Sequence, residues 1–238
     1  MADADRVAVI TGASSGIGEA VAERLRAGGY RLVLSARQTP NLDRVAKKVE
    51  GHVIPLDLAH DQSAPNALLN AALESQGRVD VLINNAGMMV EGAVDEIDPE
   101  EVRVMLRLNV EAAILIALRF ARAFKSQKSG HIFNISSFAG YKTGAKLAAY
   151  NASKFAVEGF TDALRMELVG TGVNAHAVAP GTVATRLYDN WNEEARQYVF
   201  SGGALRPRDI AEVVHFVLSQ PDGVLIPRVL VVPRDLPV

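Results

Sequence analysis

Short apolar runs rich in β-branched residues recur along the chain, and between them lie longer stretches in which apolar positions return every three or four residues. The runs Arg6–Ile10, Arg31–Ser35, His52–Leu56, Val79–Asn84, His131–Ile135, Val173–Ala179 and Val229–Val232 have the length and content of strands. The helical period marks segments at about 16–28, 41–49, 63–76, 99–126, 150–170 and 208–219. Strands that alternate with helices pair in parallel by crossover and need cover on both faces. The pattern therefore predicts an α/β fold: a doubly wound, seven-stranded parallel sheet with helices on both faces.

No composition break, linker or repeat divides the 238 residues, so one domain with a large core is expected over 1–238. Residues 181–206, rich in Thr, Asn, Gly and Arg, interrupt the alternation and read as an insertion over the sheet, with 186–205 as the candidate substrate loop. A formal net charge of -2 offers no field to attract nucleic acid. The absence of cysteine removes disulfides and thiolate chemistry, so redox work would need a borrowed cofactor. The acidic start Met1–Arg6 is unlike a secretory signal, and no apolar run reaches the ~18–20 residues of a membrane span. A soluble, cytoplasmic protein with no membrane partner is expected. The histidines at 52, 60, 131, 176 and 215 lack metal-ligand spacing, and no metal is expected.

Thr11-Gly12-Ala-Ser-Ser-Gly16-Ile-Gly18 follows the first strand directly and opens the first helix. Glycines there let the backbone turn tightly and approach a pyrophosphate, whose charge the free N–H groups of the helix start can hold. The spacing is GxxxGxG rather than GxGxxG, and a glycine-rich turn can also be only a turn. The second strand ends Ser35-Ala36-Arg37, where an NAD site would place an Asp or Glu for the ribose hydroxyl. The nearest carboxylate is Asp43. Arg37 would instead suit a 2′-phosphate, because its planar fork is permanently charged, and Ser14 or Ser35 could add a hydroxyl. A solvated Arg at a strand end is the plain alternative.

Tyr150-Asn-Ala-Ser-Lys154 opens an apolar helix, and a separation of four puts Tyr and Lys on one face a turn apart. A phenol is a weak base near neutral pH, but an ammonium nearby favours its ionised form. Ser136-Ser137 follows the fifth strand, at the carboxyl end where open α/β sheets place ligands.

Taken together, these residues resemble the short-chain dehydrogenase/reductases, in their roughly 250-residue, NADP-preferring Rossmann form. The similarity runs through TGxxxGxG at 11–18, Asp57-Leu58, Asn84-Asn85-Ala86-Gly87, Asn109 in Leu-Asn-Val110, Asn134-Ile-Ser-Ser137, YxxxK at 150–154 and Pro180-Gly-Thr-Val-Ala-Thr185. The resemblance implies that Tyr150 is the general acid/base and that Ser137 holds the reacting oxygen. It implies further that Lys154 lowers the Tyr150 pKa and binds the nicotinamide ribose, and that Asn109 holds a water linking Lys154 to solvent. The NADP(H) site would draw on Gly12, Ser14, Ser15, Gly16, Ile17 and Gly18 of the turn, on Ala36 and Arg37, and on Asp57 and Leu58. Asn85, Ala86, Gly87, Pro180, Gly181, Val183 and Thr185 would complete it, together with Tyr150 and Lys154. The implied reaction is hydride exchange between NADP(H) and a small carbonyl or alcohol.

The resemblance also implies a homodimer or homotetramer, paired through the helix that carries Ala112, Ile116, Leu118 and Phe120 and through the helix after Tyr150. The chain departs from the common glycine-rich ending with Val231-Val-Pro-Arg-Asp-Leu-Pro-Val238, which is more similar to a subgroup of hydroxy-acid and aldehyde reductases. Two other readings use the same scaffold: a regulatory protein that senses NADP without turnover, and an isomerase or lyase.

Overall fold

The structure is a computed structural model, and it describes residues 6–189, 191 and 193–236. Residues 1–5, 190, 192, 237 and 238, which include the acidic start and the last two tail residues, lie outside the described residues. Seven strands form one parallel sheet in the order β3-β2-β1-β4-β5-β6-β7. They are β1 (Val7–Thr11), β2 (Arg31–Ala36), β3 (His52–Pro55), β4 (Val81–Asn84), β5 (Gly130–Ile135), β6 (Val173–Pro180) and β7 (Arg228–Val231). Each predicted strand is present, with ends shifted by one or two residues. The order reverses between β1 and β4, and such a switch point opens a crevice at the carboxyl ends of the strands.

The five inner strands are buried on both faces, and their side chains sort by alternation. Ala8 and Ile10 of β1 face one core, with α1 (Gly16–Ala27), α2 (Pro40–Val49) and a late helix at Pro207–Leu218. Val7 and Val9 face the other, with α3 (Ala64–Gln76) and the helices between β4 and β6. Thr39 caps α2 by accepting from Leu42 N–H, and Pro40 takes the first position, where its missing N–H costs nothing.

The helix expected at 99–126 is broken in three. An α-helix, α4 (Pro99–Leu106), passes into a π-helical turn at Arg107–Ala112 and then into α5 (Ala113–Gln127). A π-turn inserts one residue into the ladder, and here it centres on Asn109, whose side chain reaches the loop after β4. Helix α6 (Ala148–Glu167) begins two residues earlier than expected and ends three earlier, ahead of Gly170 and Gly172 at positive φ.

The insertion holds structure that periodicity did not reveal. Thr185 caps a 3-10 turn at Arg186–Tyr188, α7 covers Glu193–Phe200, and α8 (Pro207–Leu218) follows. Tyr188 packs edge-on against Trp191 and Phe200, with ring centroids 5.2 and 5.3 Å apart. That cluster replaces the longer apolar stripe a helix of eight residues is too short to carry.

Candidate active site

The glycine turn and the end of β4 lock together at the switch point. Thr11 Oγ accepts from the N–H groups of Asn85 and Ala86, each at 2.9 Å, and Asn85 Nδ2 donates to Thr11 O at 2.9 Å. Gly12 sits at φ 64°, and a Cβ there would lie 2.8 Å from Asn85 Nδ2 and 2.9 Å from Ala86 Cα. A Cβ on Gly18 would meet Gly12 O at 2.3 Å. Only glycine fits either place.

Ser15 stands at the N-cap of α1, but its side chain does not cap, so the first-turn N–H groups keep their capacity for an external acceptor. Ser14, Gly16 and Ile17 are partly exposed around this helix start. Thr185 approaches it from the insertion, and a Cβ on Gly16 would lie 3.1 Å from Thr185 Cγ2. Val183 is buried and bridges to Leu205, while Pro180 ends β6 and Gly181 packs on the tail, where a Cβ would meet Pro233 at 2.9 Å.

The end of β2 lies against the same turn, since Ala13 N–H donates to Ser35 O at 3.2 Å. Arg37 projects into solvent, half-buried Ala36 precedes it, and Arg37 makes no hydrogen bond or ion pair with a described residue. Asp43, by contrast, accepts from Gln38 Nε2 at 3.0 Å. Beyond β3, Asp57 shapes its own loop by accepting from Ala59 N–H (3.0 Å) and from the His60 ring (3.0 Å). Partial burial works to raise its pKa, but those hydrogen bonds hold it below the usual carboxylate range. Leu58 beside it is buried.

On the other side of the crevice, Tyr150, Lys154 and Ser137 converge. Tyr150 and Lys154 rise from the first turns of α6 and are 6% and 7% exposed. Lys154 Nζ donates to Ile135 O at 3.1 Å and lies 5.7 Å from the centroid of the Tyr150 ring. Ser137 caps the 3-10 turn Phe138–Gly140 after β5 by accepting from Ala139 N–H at 3.1 Å, and its hydroxyl neighbours the Tyr150 phenol.

Burial acts on both members of the pair. Burial pushes the Tyr150 pKa above the ordinary phenol range, and the group that pulls against it is the Ser137 hydroxyl. Burial also pushes Lys154 down to about 8, because an ammonium loses its water there. Asn109 is buried and both its amide hydrogens are committed: Nδ2 donates to Met88 O (2.8 Å) and Ser153 Oγ (3.2 Å), while Oδ1 accepts from Met88 N–H (2.9 Å). Gly87 lies between Asn109 and Lys154, since a Cβ there would sit 3.2 Å from Asn109 Oδ1 and 3.8 Å from Lys154 Nζ.

The residues between Tyr150 and Lys154 were left unread in the sequence, and two have tasks. Asn151 Nδ2 donates to Ala139 O (2.7 Å) and Lys142 O (3.1 Å), while its Oδ1 accepts from Gly144 N–H (3.2 Å), which pins the loop after Ser137. Ser153 Oγ donates to Tyr150 O at 2.7 Å. Tyr188 of the insertion stands close by. It is half-buried, and desolvation followed by the proximity of Tyr150 holds its phenol protonated. Around Tyr150 the wall is apolar, with Met88, Met89, Val90, Met105 and Leu147.

A parallel sheet with this switch point, a glycine turn leading into an uncapped helix start and a Ser-Tyr-Lys cluster across the crevice is the architecture of a nucleotide-dependent oxidoreductase. Residues 6–196 match the model of the short chain dehydrogenase family, and the chain belongs to that family. An uncharacterized oxidoreductase of Staphylococcus saprophyticus is 36% identical over 235 residues, 96% of this chain and 97% of that protein. Among solved structures, a metagenomic short-chain oxidoreductase in complex with NADP matches with a TM-score of 0.82 at 35% identity, covering 98% of this chain and 99% of that one. An actinorhodin polyketide ketoreductase variant with NADPH matches at 0.87 and 31% identity, covering 96% of both.

Among the described residues no group of three or more His, Asp or Glu is placed to hold a metal ion, and no helix is long and apolar enough to cross a membrane.

Proposed function

We propose that the protein interconverts a small-molecule carbonyl and the corresponding alcohol with NADP(H), using Tyr150 as general acid/base. The observation that carries this reading is the convergence of Tyr150 and Lys154 from one helix face with Ser137 at the carboxyl end of β5. The crevice fits the cofactor. The turn at 12–18 admits no side chain at Gly12 or Gly18, the α1 N–H groups lack a side-chain cap, and Arg37 stands free beside the turn. Similarity to structures in complex with NADP and with NADPH supports the same choice. When bound, the cofactor supplies or accepts the hydride.

The chain's own groups handle the oxygen and its proton. Ser137 orients the carbonyl oxygen by a hydrogen bond, so that the carbon faces the hydride. Tyr150 donates its proton to that oxygen as negative charge develops, and a phenol pushed upward by burial enters the step protonated, as a donor must be. Lys154, while an ammonium, stabilises the phenolate left behind, and a backbone carbonyl fixes its position. In the reverse direction Tyr150 takes the alcohol proton. Apolar Met88, Met89 and Leu147, with Tyr188 and Trp191 of the insertion, would keep water from the reacting carbon.

NADPH oxidation against a panel of aldehydes, ketones and keto acids tests the reading. Substrate-dependent oxidation that disappears in Tyr150→Phe supports it. NADPH binding without turnover of any member would favour a sensor, and conversion of substrate without net NADPH loss an isomerase or lyase.

A further inference from the structure

The mechanism above leaves one buried acid without a task. Glu158 follows Lys154 by four residues on α6 and Tyr150 by eight, so the three side chains share a helix face at steps of ~6 Å. Glu158 is 5% exposed. Its Oε2 accepts from the Tyr141 hydroxyl at 2.8 Å and pairs with Arg228 Nε at 3.2 Å. Arg228 also reaches Asp162 Oδ2 at 2.7 Å and lies over the Tyr141 ring, 5.2 Å from its centroid. Glu158 Oε1 has no hydrogen-bond partner, and neither has buried Ser136 Oγ. Both residues crowd Gly140, where a Cβ would lie 3.1 Å from Glu158 Cγ, from Lys154 O and from Ser136 Oγ.

A carboxylate is thus held from three elements, namely the segment after β5, strand β7 and α6 itself, with one oxygen uncommitted. One turn away stands an ammonium whose only hydrogen bond to a described group runs to the neutral carbonyl of Ile135. A buried cation with no counter-charge is costly, and the usual relief is loss of its proton. We propose that Glu158 is a positioning residue of the reaction: it is the fixed counter-charge that keeps Lys154 an ammonium, and through Tyr141 it holds the wall of the cleft that carries Ser137. The inference rests on the roles proposed for Tyr150 and Lys154.

The surrounding groups agree with it. Burial pushes Lys154 down to about 8, and Glu158 is the charge that opposes the fall. Burial and then the bond to Glu158 push Tyr141 far up, so it remains a donor to the carboxylate. Around Glu158 are Tyr141 from the turn and Arg228 from β7, with Lys154 and Asp162 a turn to either side on α6 and Arg165 paired with Asp162 beyond them. Facing Lys154 are Tyr150 and Glu158 from its own helix, while β5, the loop after β4 and the π-turn present Ile135 O, Gly87 and Asn109, none of them charged.

Glu158→Gln keeps the shape and an acceptor for Tyr141 but removes the charge. The assay is kcat for carbonyl reduction at saturating NADPH and substrate from pH 6 to 9.5. The alkaline fall in kcat should move down by about one pH unit in the variant, so that the ratio of wild type to variant climbs to roughly tenfold at the alkaline end. Glu158→Asp, which restores the charge, should recover most of the wild-type profile. A lowered Tm with an unmoved alkaline limb would make Glu158 purely structural and overturn the proposal. Should Glu158→Gln fail to fold, Tyr141→Phe releases the anchor and leaves the charge. It should shift the limb in the same direction by less and raise KM, and no change in either quantity refutes the idea. Tyr150→Phe separates the two levels. If it keeps turnover, the acid/base reading itself fails; if it is inactive while the Glu158→Gln limb does not move, only the role of Glu158 falls.

Discussion

Mild acid should weaken this protein through a pair of histidines far from the crevice. His131 of β5 and His176 of β6 stack with ring centroids 5.4 Å apart, and His131 Nδ1 lies 3.1 Å from His176 Nε2. His176 Nδ1 is 2.7 Å from Ile226 O, which can only accept, so that nitrogen carries the proton and Nε2 is bare. The His131 N–H must then donate to it. Protonating His176 would set two donors face to face, and burial, the larger cause for both, pushes each pKa down to about 4.

The sign follows from linkage. Between the unfolded value of ~6.5 and the folded value, the unfolded chain holds protons the native state refuses, so stability is intact above pH 6.5 and falls as pH drops toward 4. At ~1.36 kcal/mol per unit, lowering pH from 6.5 to 5 costs about 2 kcal/mol per histidine and about 4 for the pair. That is a large part of the ~5–15 kcal/mol of a typical domain. Urea unfolding at pH 7, 6 and 5 reads the effect above the range where unfolded carboxylates titrate. His131→Phe keeps the stack and removes one titrating group, so it should be less stable at pH 7 but about half as sensitive to acid. Equal stability of the wild type at pH 7 and 5, or an unchanged acid slope in His131→Phe, would refute the argument.

Arg37 should make NADPH bind more tightly than NADH. A charge-assisted contact contributes ~1.5–3 kcal/mol, or roughly 10- to 150-fold, and solvent exposure places the expectation at the lower end with a marked loss at high salt. Fluorescence titration of both cofactors checks it, and Arg37→Ala should erase most of the preference. Ala36→Asp should move preference toward NADH by repelling the phosphate and accepting from the ribose, read as the ratio of kcat/KM values. Tyr150→Phe should lower kcat by at least ~100-fold while the Kd for NADPH stays within about twofold, because the hydroxyl acts on the substrate oxygen. The segment 186–204 should gain hydrogen-exchange protection when NADPH and a substrate analogue bind together; equal protection with and without them would make α7 a fixed cover. Arg186→Ala should raise KM for carboxylate substrates if that exposed side chain attracts them.

The fold was legible because the inner strands are buried on both faces and so are written as nearly uninterrupted apolar runs. Val7–Thr11 and Val81–Asn84 admit little else. The breaks in that legibility have local causes. The π-turn at 107–112 keeps the helical period almost unchanged, and what selects it is the bond from Asn109 to Met88, which lies 21 residues away. Helix α7 is short and rests on aromatic contacts with Tyr188, so it offers too few turns for periodicity to register.

The candidate site divides along the same line. Residues whose task depends on local backbone, such as Gly12, Gly18 and the Tyr150–Lys154 pair on one helix face, could be read from spacing alone. Residues whose task depends on sheet order could not. Lys154 is paired with Tyr150 by a spacing of four, whereas Ser137 is brought to the same place only from the end of β5. The carboxylate behind the lysine was in plain view at the next helical turn. Nothing in the sequence joins Glu158 to Tyr141 and Arg228, because that junction exists only after β7 has docked beside β6 and set Arg228 opposite Ala177. Spacing therefore points to the groups proposed to react, while their charge state depends on elements that meet them through the tertiary fold.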